Sequence, residues 1–224
     1  MPEKTSKGFI FVGPPGSGKG TQADILRSHY KGKICHLSTG DMLRAAIAAE
    51  TELGKQVKPI LASGGLVSDD LMVPLVREAI LHPSCEDGFI LDGFPRTLEQ
   101  AQRLDKVLNE TKGKQIDNVF DFQIEDEQVL GRVLGRLLHK PSGRTYHEIF
   151  KPPKTPMTDD VTGEPLIRRS DDNEESLKKR LKGFRTWTVP VIKYYKSQNK
   201  LTEIDATLAP QQVADQIFSA LAKE

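Results

Sequence analysis

The chain has 224 residues, enough for one sizeable core and a small appended unit but not for two full domains. Its 32 Lys and Arg residues against 31 Asp and Glu leave a net charge of +1. No global field then steers it to nucleic acid or to a membrane, and any anion binding must be local. No segment approaches the ~20 apolar residues of a membrane span, and the start MPEKTSKGFIFVG lacks the apolar run of a secretory leader. Cys35 and Cys85 lie far apart and outside any CxxC pair, which suits free thiols in a reducing compartment. These features predict a soluble monomer with small-molecule partners, cytoplasmic or in a mitochondrial intermembrane space reached without a cleaved signal.

In chain order, short apolar runs at Phe9–Val12, Ile34–Leu37, Phe89–Leu91, Val119–Ile124 and Leu201–Ile204 alternate with helix-length patterns. That rhythm predicts an α/β fold with a parallel five-stranded sheet flanked by helices. A first helix is expected from Lys19 to about His29. Ser38 or Thr39 can cap a second, Ser68 a third, and Thr97 with Gln100 three residues on reads as a capping box for a fourth. Further helices are expected over Asp126–Leu138, over Glu174–Ser197 with a bend near Pro190, and over Pro210–Ala222. Between His139 and Asp172 the texture turns rich in Pro, Gly, Thr and charge, with Tyr146, Ile149, Phe150, Val161 and Leu166 interspersed. This predicts a small β-rich lid at 139–172 inserted into a core of 1–138 and 173–224.

The stretch GPPGSGKGT, Gly13 to Thr21, follows the first apolar run and opens the first helix. Strand, glycine loop and helix in that order make a phosphate site: Gly13, Gly16 and Gly18 let backbone N–H groups curl around phosphate oxygens, and Lys19 adds a point charge. The position after the lysine, where the usual signature has a metal-ligating Ser or Thr, is Gly20. Magnesium keeps several waters and binds mainly through substrate phosphates, so carboxylates can hold it through water. Asp92, closing an apolar strand, and Asp41, after the Ile34–Leu37 run, are the candidates. Arg44, Arg96, Arg132, Arg136, Arg169 and Arg180 fall at strand ends or around the lid. Rigid guanidinium forks there suit phosphoryl transfer, where the protein mostly positions groups and neutralises charge.

The blocks GPPGSGKGTQ, STGDMLR, GLVSD, DGFPRT with Gln100, GRVLGR, HKPSGRTYH, DDVTGE, RRSDDNEE and TEIDAT cover nearly the whole chain. Together they resemble the adenylate kinases, specifically the P-loop nucleoside monophosphate kinase fold with a long lid. The resemblance implies reversible transfer from MgATP to AMP giving two ADP. It makes Gly13, Pro14, Pro15, Gly16, Ser17, Gly18, Lys19, Gly20 and Thr21 the donor cradle, with Arg132, His147 and Leu208 around the donor base. Arg136, Arg169 and Arg180 would clamp phosphates together with Lys19 and Arg96. Thr39, Arg44, Gly65, Val67, Gly93, Arg96 and Gln100, with Arg169 and Arg180, would form the AMP site on helices at about 38–67 and their surroundings. Gly65 stands where a lysine is common in the family, and Leu208 where a polar or basic residue is. The family's lids are built either on zinc or on a polar network. This one has no cysteine, and His139, Ser142, Asp159 and Thr162 occupy the ligand positions, so a polar cluster without structural zinc is expected and Mg2+ enters only with ATP. Rival readings are a kinase using GTP as donor or UMP and CMP as acceptor, and a P-loop switch protein. The switch reading requires Ser or Thr after Lys19 and an NKxD motif, whereas the nearest segment is NKLT at Asn199.

Overall fold

The computed structural model describes residues 6–222. In chain order the elements are β1 (Lys7–Val12), α1 (Lys19–His29), β2 (Cys35–Ser38), α2 (Thr39–Ala48), α3 (Glu52–Ala62), α4 (Asp69–Leu81), β3 (Gly88–Asp92), α5 (Leu98–Asn109), β4 (Asn118–Gln123) and α6 (Asp126–Leu134). There follow β5 (Arg136–Leu138), β6 (Thr145–His147), α7 (Glu174–Gly183), α8 (Val189–Ser197), β7 (Leu201–Asp205) and α9 (Pro210–Leu221).

Five strands form one parallel sheet in the order β2-β3-β1-β4-β7. Alternate residues face opposite layers, and both layers are apolar. Ile10, Val12, Phe89, Leu91 and Val119 pack with Val76, Ile80, Leu104, Val191 and Tyr195 on one side. Phe9, Phe11, Ile90, Phe120 and Phe122 pack with Ala23, Leu26, Val213 and Ile217 on the other. A parallel sheet buried on both faces requires such runs. The chain leaves central β1 for β2 on one side, returns through β3, and only then builds β4 and β7 on the other. This reversal opens a crevice beyond the carboxyl ends of the strands. Register sets Phe11 and Ser38 opposite Asp92 and Val12 opposite Asp121, so all these ends meet at one edge.

Three sequence expectations need correction, and one helix, α3, escaped the periodicity reading. Cys35 and Cys85 are not free thiols: they form a disulfide with a Cα–Cα distance of 5.0 Å across 50 residues of chain. Parallel pairing of Cys35 with Phe89 brings β2 beside the turn that carries Cys85, a proximity that spacing along the chain cannot show. The helix at Asp126 stops at Leu134, and Arg136–Leu138 turns into a strand paired with β6. Helix α3 carries Gly54 and Pro59 in its interior, both poor helix formers, which masks it in the sequence. It is anchored by Thr51, whose hydroxyl accepts from Gly54 N at 3.0 Å, and Gly54 has no room for a Cβ, which would lie 2.1 Å from the Ala46 carbonyl. The capping box at α5 is only half made. Thr97 Oγ1 accepts from Gln100 N at 3.0 Å, but the Gln100 side chain is engaged elsewhere.

The bend near Pro190 is a π-helical turn, Phe184–Thr188, in which Val189 N–H reaches back five residues to the Phe184 carbonyl. Proline lacks an N–H, and the widened turn absorbs the missing bond just before it. Among the described residues no helix is long and apolar enough to cross a membrane.

Candidate active site

A cleft of ≈ 1820 Å³ lies over the carboxyl ends of β1, β2 and β3. Every residue expected in a site lines it except Pro14, which is buried behind the loop with its carbonyl turned to Lys19.

The loop after β1 takes left-handed conformations at Gly16 (φ 79°) and Gly18 (φ 94°), and a Cβ on Gly16 would also strike Val133 at 2.6 Å. Only glycine supplies both freedoms at no cost. Gly18 then caps α1, so the free N–H groups of that helix open on the cleft. Lys19 Nζ folds onto its own loop, donating to the carbonyls of Gly13 (2.9 Å) and Pro14 (2.8 Å) and to Ser17 Oγ (3.2 Å). Burial lowers its pKa to about 8; Asp92 opposes that shift, while Arg96, Arg180 and Arg136 reinforce it.

The position of the missing hydroxyl faces a carboxylate. A Cβ on Gly20 would sit 3.9 Å from Asp92 Oδ2. Burial alone would raise the Asp92 pKa, but His36, Lys19 and Arg96 together hold it below the usual carboxylate range. His36 Nε2 stands 3.5 Å from the same oxygen. Asp41 is bound to Arg44 at 2.6 Å and lies 3.6 Å from Arg169; these neighbours likewise outweigh its partial burial and lower its pKa. Among the described residues there is no group of three or more His, Cys, Asp and Glu side chains that could hold a metal by itself.

The arginines face one another across the cleft. Arg136 grips Asp172 through Nε at 2.8 Å and through Nη2. Arg180 lies 3.1 Å from Asp171 and 3.8 Å from Asp172. Burial first, with neighbouring guanidiniums adding to it, lowers the pKa values of Arg169 and Arg180 to about 10. Among the described residues Arg169 Nε is buried without a hydrogen-bond partner, and Arg180 Nη1 is buried with only its ion pairs to Asp171 and Asp172. Such concentrated positive charge with an unused buried donor suits an anion with several oxygens.

Beyond the end of β2, Thr39 is the first residue of α2, and Ser38 supplies the cap to Asp41 N. The buried Thr39 hydroxyl donates to the Gly93 carbonyl at 3.0 Å, which leaves its lone pairs for a ligand donor. Gly93, at φ 80°, cannot carry a Cβ because it would meet Thr39 Oγ1 at 2.9 Å. Arg96 is set by its Nε on Gly93 O (2.7 Å) and by Thr188 Oγ1 on its own carbonyl (3.0 Å).

At the other end, Arg132 Nη2 reaches Thr207 O at 3.4 Å beside the half-exposed Leu208. His147 Nδ1 accepts from the backbone of Ile149 (3.0 Å) and Phe150 (3.1 Å), so Nε2 carries the proton and donates to Gly131 O at 3.0 Å. Both nitrogens of His147 are thereby engaged within the protein, and its ring packs against Phe150 with centroids 4.4 Å apart. In the segment beyond, His139, Ser142, Asp159 and Thr162 meet in one hydrogen-bonded cluster. His139 Nδ1 bonds Ser142 Oγ at 2.6 Å, Thr162 Oγ1 lies 3.3 Å from His139 Nε2, and Thr162 Oγ1 donates to Asp159 at 2.9 Å. Arg144, Tyr146 and Glu164, which sequence reasoning passed over, complete it. Hydrogen bonds from Arg144 foremost, then from Thr162 and Tyr146, keep the Asp159 pKa far below normal.

Other residues of the cleft also escaped the sequence reading. His36 had one signal, a polar side chain inside an apolar strand run. Asp171 in the cleft, and Asp172 behind it on Arg136, had another: two carboxylates one residue after Arg168 and Arg169.

A family model described as adenylate kinase matches residues 11–200. The chain is 52% identical over 219 residues to Adenylate kinase 4 of Arabidopsis thaliana, covering 98% of this chain and 88% of that protein. It is 51% identical to Adenylate kinase of Malassezia globosa, covering 92% and 80%, and 51% identical to Adenylate kinase 4 of Oryza sativa subsp. japonica, covering 97% and 88%.

Proposed function

The chain belongs to the adenylate kinase family and catalyses ATP:AMP phosphoryl transfer, and from that premise we propose how its own residues divide the work. The observation that carries the assignment is the convergence of the Gly13–Thr21 loop, Asp92 and four arginines, Arg96, Arg136, Arg169 and Arg180, on one cleft. The loop N–H groups and the start of α1 receive the donor phosphates. Lys19, whose pKa burial lowers to about 8, exchanges its loop carbonyls for phosphate oxygens, whose negative charge favours its protonated form. Arg132, the ring of His147 and Leu208 flank the donor base. Thr39 and Gln100 read the acceptor base, Gly65, Val67 and Gly93 shape its pocket, and Arg44 and Arg96 bind its phosphate.

Magnesium arriving with ATP supplies neutralising charge on the transferred and leaving phosphates. Asp92, beside the vacant side-chain position of Gly20, would orient water around it. Asp41, now held by Arg44, would be the second carboxylate to orient such water if the AMP phosphate took over Arg44. The AMP phosphate oxygen attacks the terminal phosphorus of ATP, and the bond to the bridging oxygen breaks as ADP leaves. Arg136, Arg169 and Arg180 hold the equatorial oxygens of the transferring group, so that the attacking and leaving oxygens lie in line. The β5–β6 region through Asp172 acts as a lid whose polar cluster, in place of structural zinc, keeps it rigid while it excludes water.

The protein works as a monomer on nucleotides, without nucleic acid or membrane. Between the cytoplasm and the intermembrane space, the Cys35–Cys85 bond favours the more oxidising one. A coupled assay of AMP, UMP, CMP and GMP against ATP and GTP tests the nucleotide assignments. Preference for ATP with AMP is expected, and equal turnover of UMP or CMP overturns the acceptor half.

A further inference from the structure

Behind the acceptor pocket, Gln100 is 1% exposed and held at both ends of its amide. Its Oε1 accepts from Arg96 N at 2.7 Å, and its Nε2 donates to Asp69 Oδ1 at 2.7 Å. A backbone N–H can only donate and an ionised carboxylate can only accept, so these two neighbours force the same orientation of the amide. Asp69 is itself pinned, since Thr97 Oγ1 stands 3.3 Å from both of its oxygens. Asp69 is the first residue of α4 and does not line the cleft, whereas Gln100 does.

Each end of the amide has one hydrogen-bonding position left, a second hydrogen on Nε2 and a second lone pair on Oε1. That pair complements adenine, whose N1 accepts and whose 6-amino group donates. It mismatches hypoxanthine and guanine, in which N1–H donates and O6 accepts. A glutamine free to flip would serve either. We propose that Asp69 is a specificity-determining positioning residue: by fixing the polarity of the Gln100 amide it makes the acceptor pocket choose a 6-amino purine over a 6-oxo purine. This rests on the reading of Gln100 as a base contact, with Thr39 as a second acceptor for the 6-amino group.

Asp69→Asn replaces an acceptor-only group with one that can also donate, which removes one of the two constraints on the amide. IMP is the cleaner probe, because it differs from AMP at this edge without the 2-amino group of GMP. With ATP as donor, Asp69→Asn should raise the IMP-to-AMP ratio of kcat/KM roughly tenfold, about the effect of one mispaired hydrogen bond. The change should fall mainly on the acceptor KM, leaving the KM for ATP within about twofold. Asp69→Glu should bring the ratio back toward the wild-type value. Should the asparagine variant fail to fold, Asp69→Ser carries the same measurement. Equal changes for AMP and IMP, or none for either, overturn the proposal. Gln100→Ala separates the two layers. If it leaves the ratio unchanged, the base-contact reading falls and this inference with it; if it abolishes discrimination while Asp69→Asn does not, the Asp69 role alone fails.

Discussion

The proposed donor cradle takes consecutive residues, Gly13 to Thr21, whereas the proposed acceptor pocket collects Thr39 from α2, Gly65 and Val67 from the loop before α4, and Gly93, Arg96 and Gln100 from around the end of β3. The difference follows from what each must recognise. Phosphate oxygens accept from any direction, so a glycine loop, a helix start and one lysine suffice, and local chain geometry provides them. A base edge presents donors and acceptors in a fixed order. Its reader must be oriented, and orientation here comes from Asp69, Thr97 and the Arg96 backbone, all outside the base contact itself.

The sharpest way to break the contrast is Lys19→Met, which keeps the stem and removes the charge. Turnover should fall on the order of 10³-fold with the fold intact, as read by steady-state kinetics beside circular dichroism. Near wild-type turnover would remove the loop from donor binding. The disulfide comes next. Its 50-residue loop encloses β2, α2, α3 and α4, and with them Thr39, Arg44, Gly65 and Val67 of the proposed acceptor pocket, but not the proposed donor loop. Replacing both cysteines by serine should lower unfolding free energy by up to about 4 kcal/mol on the chain-entropy argument, measured by urea titration. The KM for AMP should move more than the KM for ATP, and equal shifts in the two would show that the bond serves the whole sheet alike.

Asp92→Asn should cost roughly 10²-fold in rate and shift the magnesium dependence while largely sparing AMP binding. An unchanged magnesium titration would take Asp92 out of that role. The smallest expected effect is on choice of acceptor: Thr39→Ala should raise UMP and CMP turnover relative to AMP by roughly tenfold, with little change in ATP affinity. If acceptor preference stays as it was, the Thr39 hydroxyl only ties α2 to the Gly93 carbonyl.

Sequence alone carried the alternation of strands and helices, because both faces of a parallel sheet must be apolar and periodicity records that. It carried the phosphate loop with its missing hydroxyl, Asp92 at a strand end, and the set of arginines, since these are residue types at fixed local offsets. The four members of the polar cluster at His139, Ser142, Asp159 and Thr162 came instead from the resemblance to the family's lids. Where a position answers to a neighbour distant in the chain, the sequence was silent. Helix α3 stays hidden because Gly54, a helix breaker by propensity, is required by contact with Ala46. Cys35 and Cys85 read as separate until strand register joins them. Gln100 reads as half of a capping box until Asp69 and Arg96 claim its amide. Local spacing determines which groups are available, but the direction in which a buried polar group points is set by partners that only the folded chain brings within about 3 Å.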